Sequence, residues 1–139
     1  MLSLAVAPPT FAKSAPPKVA PNLNAFLISY GGSYPYSLSD PSSRSINHIR
    51  YTLPTGVRTF YSFTNIEAVP HGVDRIVMRM FSPAGKEVSL INYTVYAQTM
   101  HQTETFETKW NRVSISHGYN VVKVWLNGRY LGKSLIWGR

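Results

Sequence analysis

Acidic and histidine side chains are the first candidates for catalysis or metal binding, and their spacing favours neither. The 139-residue chain has six acids and four histidines. Glu104 and Glu107 lie three positions apart, and in an extended segment they would point to opposite faces, so paired-carboxylate chemistry is not indicated. No two histidines have the H-x-H or H-x-x-x-H spacing that places two rings on one metal.

Recognisable nucleophile motifs and phosphate-binding loops are also absent from the sequence. There is no cysteine, which excludes disulfides, thiol catalysis and thiolate metal sites. No serine lies in a G-x-S-x-G elbow, and no glycine-rich phosphate loop is present. We therefore expect no catalytic residue, no metal site and no cofactor, and we predict that the protein is not an enzyme. A hydrolase remains the alternative if folding gathers the acids into a tight cluster.

A tyrosine-rich segment at residues 29–37, SYGGSYPYS, is the first candidate binding surface. Tyr30, Tyr34 and Tyr36 would make adaptable contacts with proteins or sugars, because tyrosine, serine and glycine suit binding loops. The alternative is an irregular early strand whose tyrosines cover the edge of the core.

Basic and aromatic residues on two later segments form the second candidate. Arg75 and Arg79 share one face of a predicted strand, and Lys123 and Trp125 share a face of another. Such a surface could bind an acidic glycan or stack on bases, although it could also be the ordinary polar face of a half-exposed sheet. The net charge of +8 favours anionic partners. The basic residues are scattered and form no tail or helix, which weakens the nucleic-acid interpretation.

The elements that carry these residues are best defined around Asn127-Gly128. A type I′ turn needs positive φ at both central positions, and Asn-Gly tolerates this best. Residues 120–126 and 129–137 therefore pair as a hairpin. One face of the first strand carries Val122, Val124 and Leu126, and the other carries Val121, Lys123 and Trp125. On the return strand Leu131, Leu135 and Trp137 alternate.

Further strands are predicted by the same alternation and turn chemistry. In the predicted strand Val73–Phe81, Ile76, Met78 and Met80 point to one face, and Arg75, Val77 and Arg79 point to the other. A turn at 82–86 joins this strand to a strand over 88–97. Other predicted strands span residues 26–30, 46–53, 58–64, 103–110 and 112–115. No segment has a helical period. The sequence thus predicts an all-β fold, an immunoglobulin-like antiparallel β-sandwich of seven to eight strands, with a small β-barrel or jelly roll as runner-up.

Three stretches carry a resemblance to a family. They are GYNVVKVWLNGRYL at 118–131, FSPAGKEV at 81–88 and TKWNRV at 108–113. Together they resemble uncharacterised bacterial exported or periplasmic immunoglobulin-like modules over roughly residues 57–137. The resemblance implies the sandwich fold and carries no catalytic residues. The chain departs from the motif where Val121-Val122 directly follows Tyr119-Asn120, which interrupts the usual alternation.

The amino end predicts export. Residues 2–7 are apolar, and Thr10-Phe11-Ala12 before Lys13 resembles the end of a secretory signal, though the basic n-region is missing and the apolar run is short. Residues 13–21 are rich in proline and alanine and predict an extended linker. We therefore divide the chain into a signal-like, flexible segment at 1–22 and a β-sandwich domain at 23–139. No stretch is long enough to span a membrane.

These observations predict a secreted or periplasmic, non-enzymatic binding or accessory module. Its expected partner is another envelope protein, or an anionic glycan or surface attracted by the positive charge. The alternative is a small basic nucleic-acid-binding or capsid-type β protein, whose binding would weaken steeply with salt. The oligomeric state is not predicted.

Overall fold

The computed structural model describes residues 20–30 and 52–139, and all regular structure in these ranges is β-strand. The strands, numbered in chain order, are β1 (Asn22–Ser29), β2 (Thr52–Leu53), β3 (Gly56–Val69), β4 (Gly72–Phe81), β5 (Glu87–Ala97), β6 (Gln102–Ile115), β7 (Gly118–Leu126) and β8 (Arg129–Gly138). Eight strands and no helix among the described residues confirm the predicted all-β class.

The strands form two packed sheets. One has the order β1-β3-β6, and the other has the order β2-β8-β7-β4-β5. All pairs are antiparallel except β2 with β8, which run parallel. The chain changes sheets after β1, β2, β3, β5 and β6, and only the pairs β4–β5 and β7–β8 are consecutive within one sheet. Two packed, largely antiparallel sheets confirm the predicted β-sandwich.

The core lies between the sheets because each strand buries alternate side chains. Ile76, Met78 and Met80 of β4 are fully buried, as the alternation predicts. On the other sheet the rings of Phe60 and Trp110 stack with centroids 5.6 Å apart. Burying each such side chain contributes about 1.5–3 kcal/mol, so the inward faces stabilise the sandwich and leave the outward faces available for binding.

The predicted Asn-Gly turn is confirmed. Asn127 and Gly128 have φ values of 51° and 82°, the left-handed conformation that a type I′ turn requires at both positions. The Asn127 side chain adds two bonds: its Nδ2 donates to Asp74 Oδ1 at 2.8 Å, and its Oδ1 accepts from the Arg75 backbone N–H at 2.8 Å. The turn is thereby tied to the start of β4.

The alternation predicted for the return strand is wrong, because a bulge in β8 changes which side chains point outward. The register of β7 with β8 shifts between Val124 and Trp125, so one extra residue enters β8 and reverses its faces. Leu131 packs against the core, but Leu135 and Trp137 are 40% and 37% exposed, and Ile136 is buried instead. This places two large apolar side chains on the solvent side of the sheet.

Two further strand predictions change. Segments 103–110 and 112–115 are one continuous strand, β6, which bends at Arg112, where φ is 54°. Its partner β3 shifts register between Arg58 and Phe60, so a bulge kinks the pair without ending it. Of the predicted strand 46–53, only 52–53 lie within the described residues, and they pair with β8. Residues 1–19 are outside the described ranges, so the division at residue 22 stays a prediction.

Candidate functional site

The candidate site is the central part of the outward surface of the five-stranded sheet, called here the outer face. It is formed by the side chains of β4, β7 and β8 that point away from the core. Because Ile76, Met78 and Met80 point inward, Arg75, Val77 and Arg79 must point outward from β4. The same alternation turns Lys123 and Trp125 outward from β7. Since β4 and β7 are neighbours in the sheet, these predicted residues lie on one surface.

Three cations line up across three adjacent strands of the outer face. Arg79 of β4 is the register partner of Lys123 of β7, and Lys123 is in turn the partner of Lys133 of β8. Neighbouring strands lie about 4.8 Å apart, so the three backbones span roughly 10 Å. We call Arg79, Lys123 and Lys133 the cationic row. Like charges directly opposite each other destabilise a sheet. The cationic row therefore does not contribute to the stability of the fold, which suggests that its charges serve binding.

Aromatic rings flank the cationic row and partly compensate for its repulsion. The guanidinium carbon of Arg79 lies 5.4 Å from the ring centroid of Trp125, and Nζ of Lys123 lies 5.2 Å from that of Phe81. Tyr130 packs against Trp125 with centroids 5.6 Å apart. Cations over ring faces gain about 0.5–1 kcal/mol at exposed sites. These contacts hold Arg79 and Lys123 against the sheet surface without neutralising their charge.

A second aromatic cluster lies at the far end of β7 and β8. Trp137 makes edge contacts with Tyr119 at 4.8 Å and with His117 at 5.4 Å between centroids. Tyr119 is 56% exposed and is the register partner of Trp137. Leu135 lies between this cluster and Lys133 along β8. Exposed aromatic and aliphatic side chains therefore continue from the cationic row to the end of the sheet.

Negative charge is scarce on this surface. The fully described strands β4, β7 and β8 present no carboxylate and no side-chain amide on the outer face. The nearest acid is Glu87 at the start of β5, 3.7 Å from Arg79, with both side chains more than 40% exposed. An ion pair this exposed contributes at most about 1 kcal/mol. The outer face thus keeps a net positive charge.

Two shallow pockets interrupt the outer face. One, of about 340 Å³, is lined by Arg75, Val77, Arg79, Trp125 and Gly128. The other, of about 400 Å³, is lined by Tyr119, Lys133, Ser134 and Leu135. Each combines at least one basic side chain with an aromatic ring, and the two ends of the cationic row, Arg79 and Lys133, line one pocket each. Both are open to solvent, which suits an extended or flat partner better than an enclosed small molecule.

The predicted tyrosine-rich binding segment is not part of the outer face as far as the structure describes it. Tyr30 follows β1 in the three-stranded sheet and is 39% exposed, so it belongs to the other layer. Tyr34 and Tyr36 lie outside the described residues. Sequence reasoning missed Lys133, because only the register places it beside Lys123. It also missed the exposed pair Tyr119 and Trp137, whose position depends on the bulge in β8.

Chemistry of other kinds has little support within residues 20–30 and 52–139. These ranges hold no group of three or more histidine, aspartate or glutamate side chains that could bind a metal ion. They also contain no helix that is long and apolar enough to cross a membrane. Comparison with models of known families and with curated proteins gives no match for this chain. The resemblance to exported modules therefore stays a prediction.

Proposed function

We propose that this protein is a non-enzymatic binding module that contacts an anionic surface through its outer face. The observation that carries this proposal is the cationic row: three positive side chains in direct register on adjacent strands, with no acid on the outward faces of those strands. A sheet that needed only solubility could place acids opposite the lysines and gain about 0.2–1 kcal/mol per pair. Retaining the repulsion is consistent with a partner that supplies the missing negative charge.

The charge of the whole chain supports the same partner class. The net charge is +8, and such a field attracts anions from solution at rates that fall with ionic strength. Flanking aromatic rings add non-polar contact to the electrostatic attraction. A protein partner from the cell envelope would fit this face if it carried an acidic surface.

We propose that the protein is exported and binds its partner outside the cytoplasm. The signal-like residues 2–12 and the proline-rich segment after them are typical of a chain that leaves the cytoplasm. Fractionation of cells that express the full chain, with sequencing of the mature amino end, tests this proposal. Recovery of an intact amino end in the cytoplasm would contradict it.

Binding to an immobilised sulfated polysaccharide, dextran sulfate, tests the binding proposal directly. We expect the logarithm of the affinity to fall steeply with the logarithm of salt concentration. Lys133→Glu should weaken binding about tenfold or more, since each basic residue contributes roughly 1 kcal/mol near an anionic surface and the substitution reverses the charge. The control is Lys109→Glu, the same charge change at an exposed position of β6 in the other sheet. Equal losses in both variants, or no affinity at low salt, would contradict the proposal.

A second candidate, nucleic-acid binding, is supported by the exposed rings beside the cations, because single strands stack their bases on such rings. Trp125 is less suited to this because Arg79 lies over its ring. Oligothymidylate titrated against the same variants distinguishes the two candidates. Tighter binding to the oligonucleotide than to dextran sulfate at equal salt would favour the second.

A further inference from the structure

The outer face has the composition of a membrane-interface surface. Its outward side chains on β4, β7 and β8 are of only two kinds, basic residues and aliphatic or aromatic ones. A site for a glycan or another polar ligand fixes its orientation with a few placed hydrogen-bonding groups, such as amides, carboxylates and hydroxyls. Besides tyrosine hydroxyls, the uncharged groups of this kind are Ser134, which lines one pocket, and Asn92 and Thr94 on the neighbouring strand β5. The part of the surface around the cationic row therefore has few groups that could orient a sugar ring.

The exposed apolar side chains are the second observation. Leu135, Trp137, Tyr119 and Tyr130 are 37–56% exposed and lie along β7 and β8 on either side of the Lys123–Lys133 pair. Contiguous exposed apolar surface rimmed by polar groups marks a protein or membrane contact site. Tryptophan and tyrosine concentrate at the level of lipid headgroups, where one end of the ring is apolar and the other is hydrated.

The charge on the same face selects the type of membrane. Anionic lipids attract basic residues at the surface with roughly 1 kcal/mol each. Lysine and arginine can lay their alkyl stems along apolar surface while the charged ends reach headgroup phosphates. A sheet face with shallow pockets also matches a flat partner, because it presents many side chains at one level.

We propose that the outer face binds the surface of a bilayer containing anionic phospholipid, with the cationic row against the headgroup phosphates and Leu135, Trp137 and Tyr119 at the interface. This inference rests on the proposed function and names the partner of that site. The protein lies on the membrane and does not span it. Attachment combines electrostatic attraction with shallow insertion of the aromatic cluster, so it is reversible and weakened by salt.

The three tryptophans provide an internal reporter for the experiment. Trp125 and Trp137 lie on the outer face, whereas Trp110 is fully buried in the core and donates to Ser62 Oγ at 2.8 Å. Tryptophan emission is measured as the full chain is titrated with vesicles of phosphatidylcholine alone or with phosphatidylglycerol added. We expect a blue shift and co-sedimentation only with the anionic vesicles.

Two variants separate the components of binding. Lys123→Gln combined with Lys133→Gln should weaken vesicle binding roughly 20- to 30-fold, at about fivefold for each lysine. Tyr119→Thr combined with Leu135→Thr should reduce the blue shift and should weaken binding to anionic vesicles more than binding to dextran sulfate. Lys109→Gln is the control and should bind as the parent does. Circular dichroism and thermal melting verify folding, and Lys133→Gln alone replaces the double variant if that variant unfolds.

The outcomes distinguish this inference from the proposed function. Binding to dextran sulfate without binding to anionic vesicles overturns the membrane inference and leaves the proposed function standing. Binding to neither overturns both. Preference for oligothymidylate over anionic vesicles, or an equal loss on Lys109→Gln, also overturns the inference. Selective vesicle binding that is lost in the lysine double variant and retained in the control supports it.

Discussion

Replacing Asn120 with alanine should be among the most destabilising polar substitutions in the chain. The side chain of Asn120 is fully buried at the start of β7. Its Oδ1 accepts from the Ser116 backbone N–H at 3.2 Å, and its Nδ2 donates to the Ser116 carbonyl at 2.9 Å and to the Gly118 carbonyl at 3.2 Å. A longer contact of 3.4 Å reaches the Ile136 carbonyl of β8. One amide thus closes the β6–β7 turn and joins it to the neighbouring strand.

The expected cost follows from these contacts. The two bonds to Ser116 contribute about 1 kcal/mol each, and leaving a buried carbonyl without a donor adds about 1 kcal/mol more. Asn120→Ala should therefore lower the free energy of unfolding by about 3 kcal/mol. At a urea dependence of about 2 kcal/mol/M, the unfolding midpoint falls by roughly 1.5 M.

Urea unfolding followed by tryptophan fluorescence measures this change. The matched control is Asn92→Ala, the same substitution at an exposed position on β5, which should change stability by no more than about 0.5 kcal/mol. A loss below about 1 kcal/mol for Asn120→Ala, or equal losses for both variants, would refute the assignment of a structural role to this amide.

Two other substitutions test the hairpin that closes the chain. Gly138→Ala should destabilise the fold by more than about 2 kcal/mol, because its Cβ would lie 2.0 Å from the Ser116 carbonyl oxygen. Gly132→Ala is the control, since its Cβ meets only ordinary contacts, and thermal melting should show a much smaller loss of stability. A larger loss for Gly132→Ala than for Gly138→Ala would contradict the packing. Asn127→Ala should cost about 3 kcal/mol, since it removes a donor from buried Asp74 and places alanine at positive φ. A double-mutant cycle with Asp74→Ala should give a coupling above about 1 kcal/mol, and independent effects would argue against the bond.

Local signals in the sequence predicted much of the fold. Asn127-Gly128 identified the final hairpin because few dipeptides accept two positive φ values. The strict alternation of Ile76, Met78 and Met80 identified a strand with one buried face. The bulges were not predictable, because an extra residue in one strand depends on its partner's register. That is why the exposure of Leu135 and Trp137 came only from the structure.

The candidate site was predicted in part for the same reason. Alternation within single strands placed Arg75 and Arg79 on one face, and Lys123 and Trp125 on one face. Nothing local indicates which strands are neighbours, so the sequence did not show that these faces join. Lys133 became part of the site only through its register with Lys123.

Lysine footprinting shows whether the outer face binds an anionic surface. The full chain is acetylated with and without saturating dextran sulfate, and modification is quantified by mass spectrometry. We expect Lys123 and Lys133 to be protected while Lys86 and Lys109 react as in the free protein. Protection of Lys109 with continued reaction of Lys123 and Lys133 would contradict this expectation.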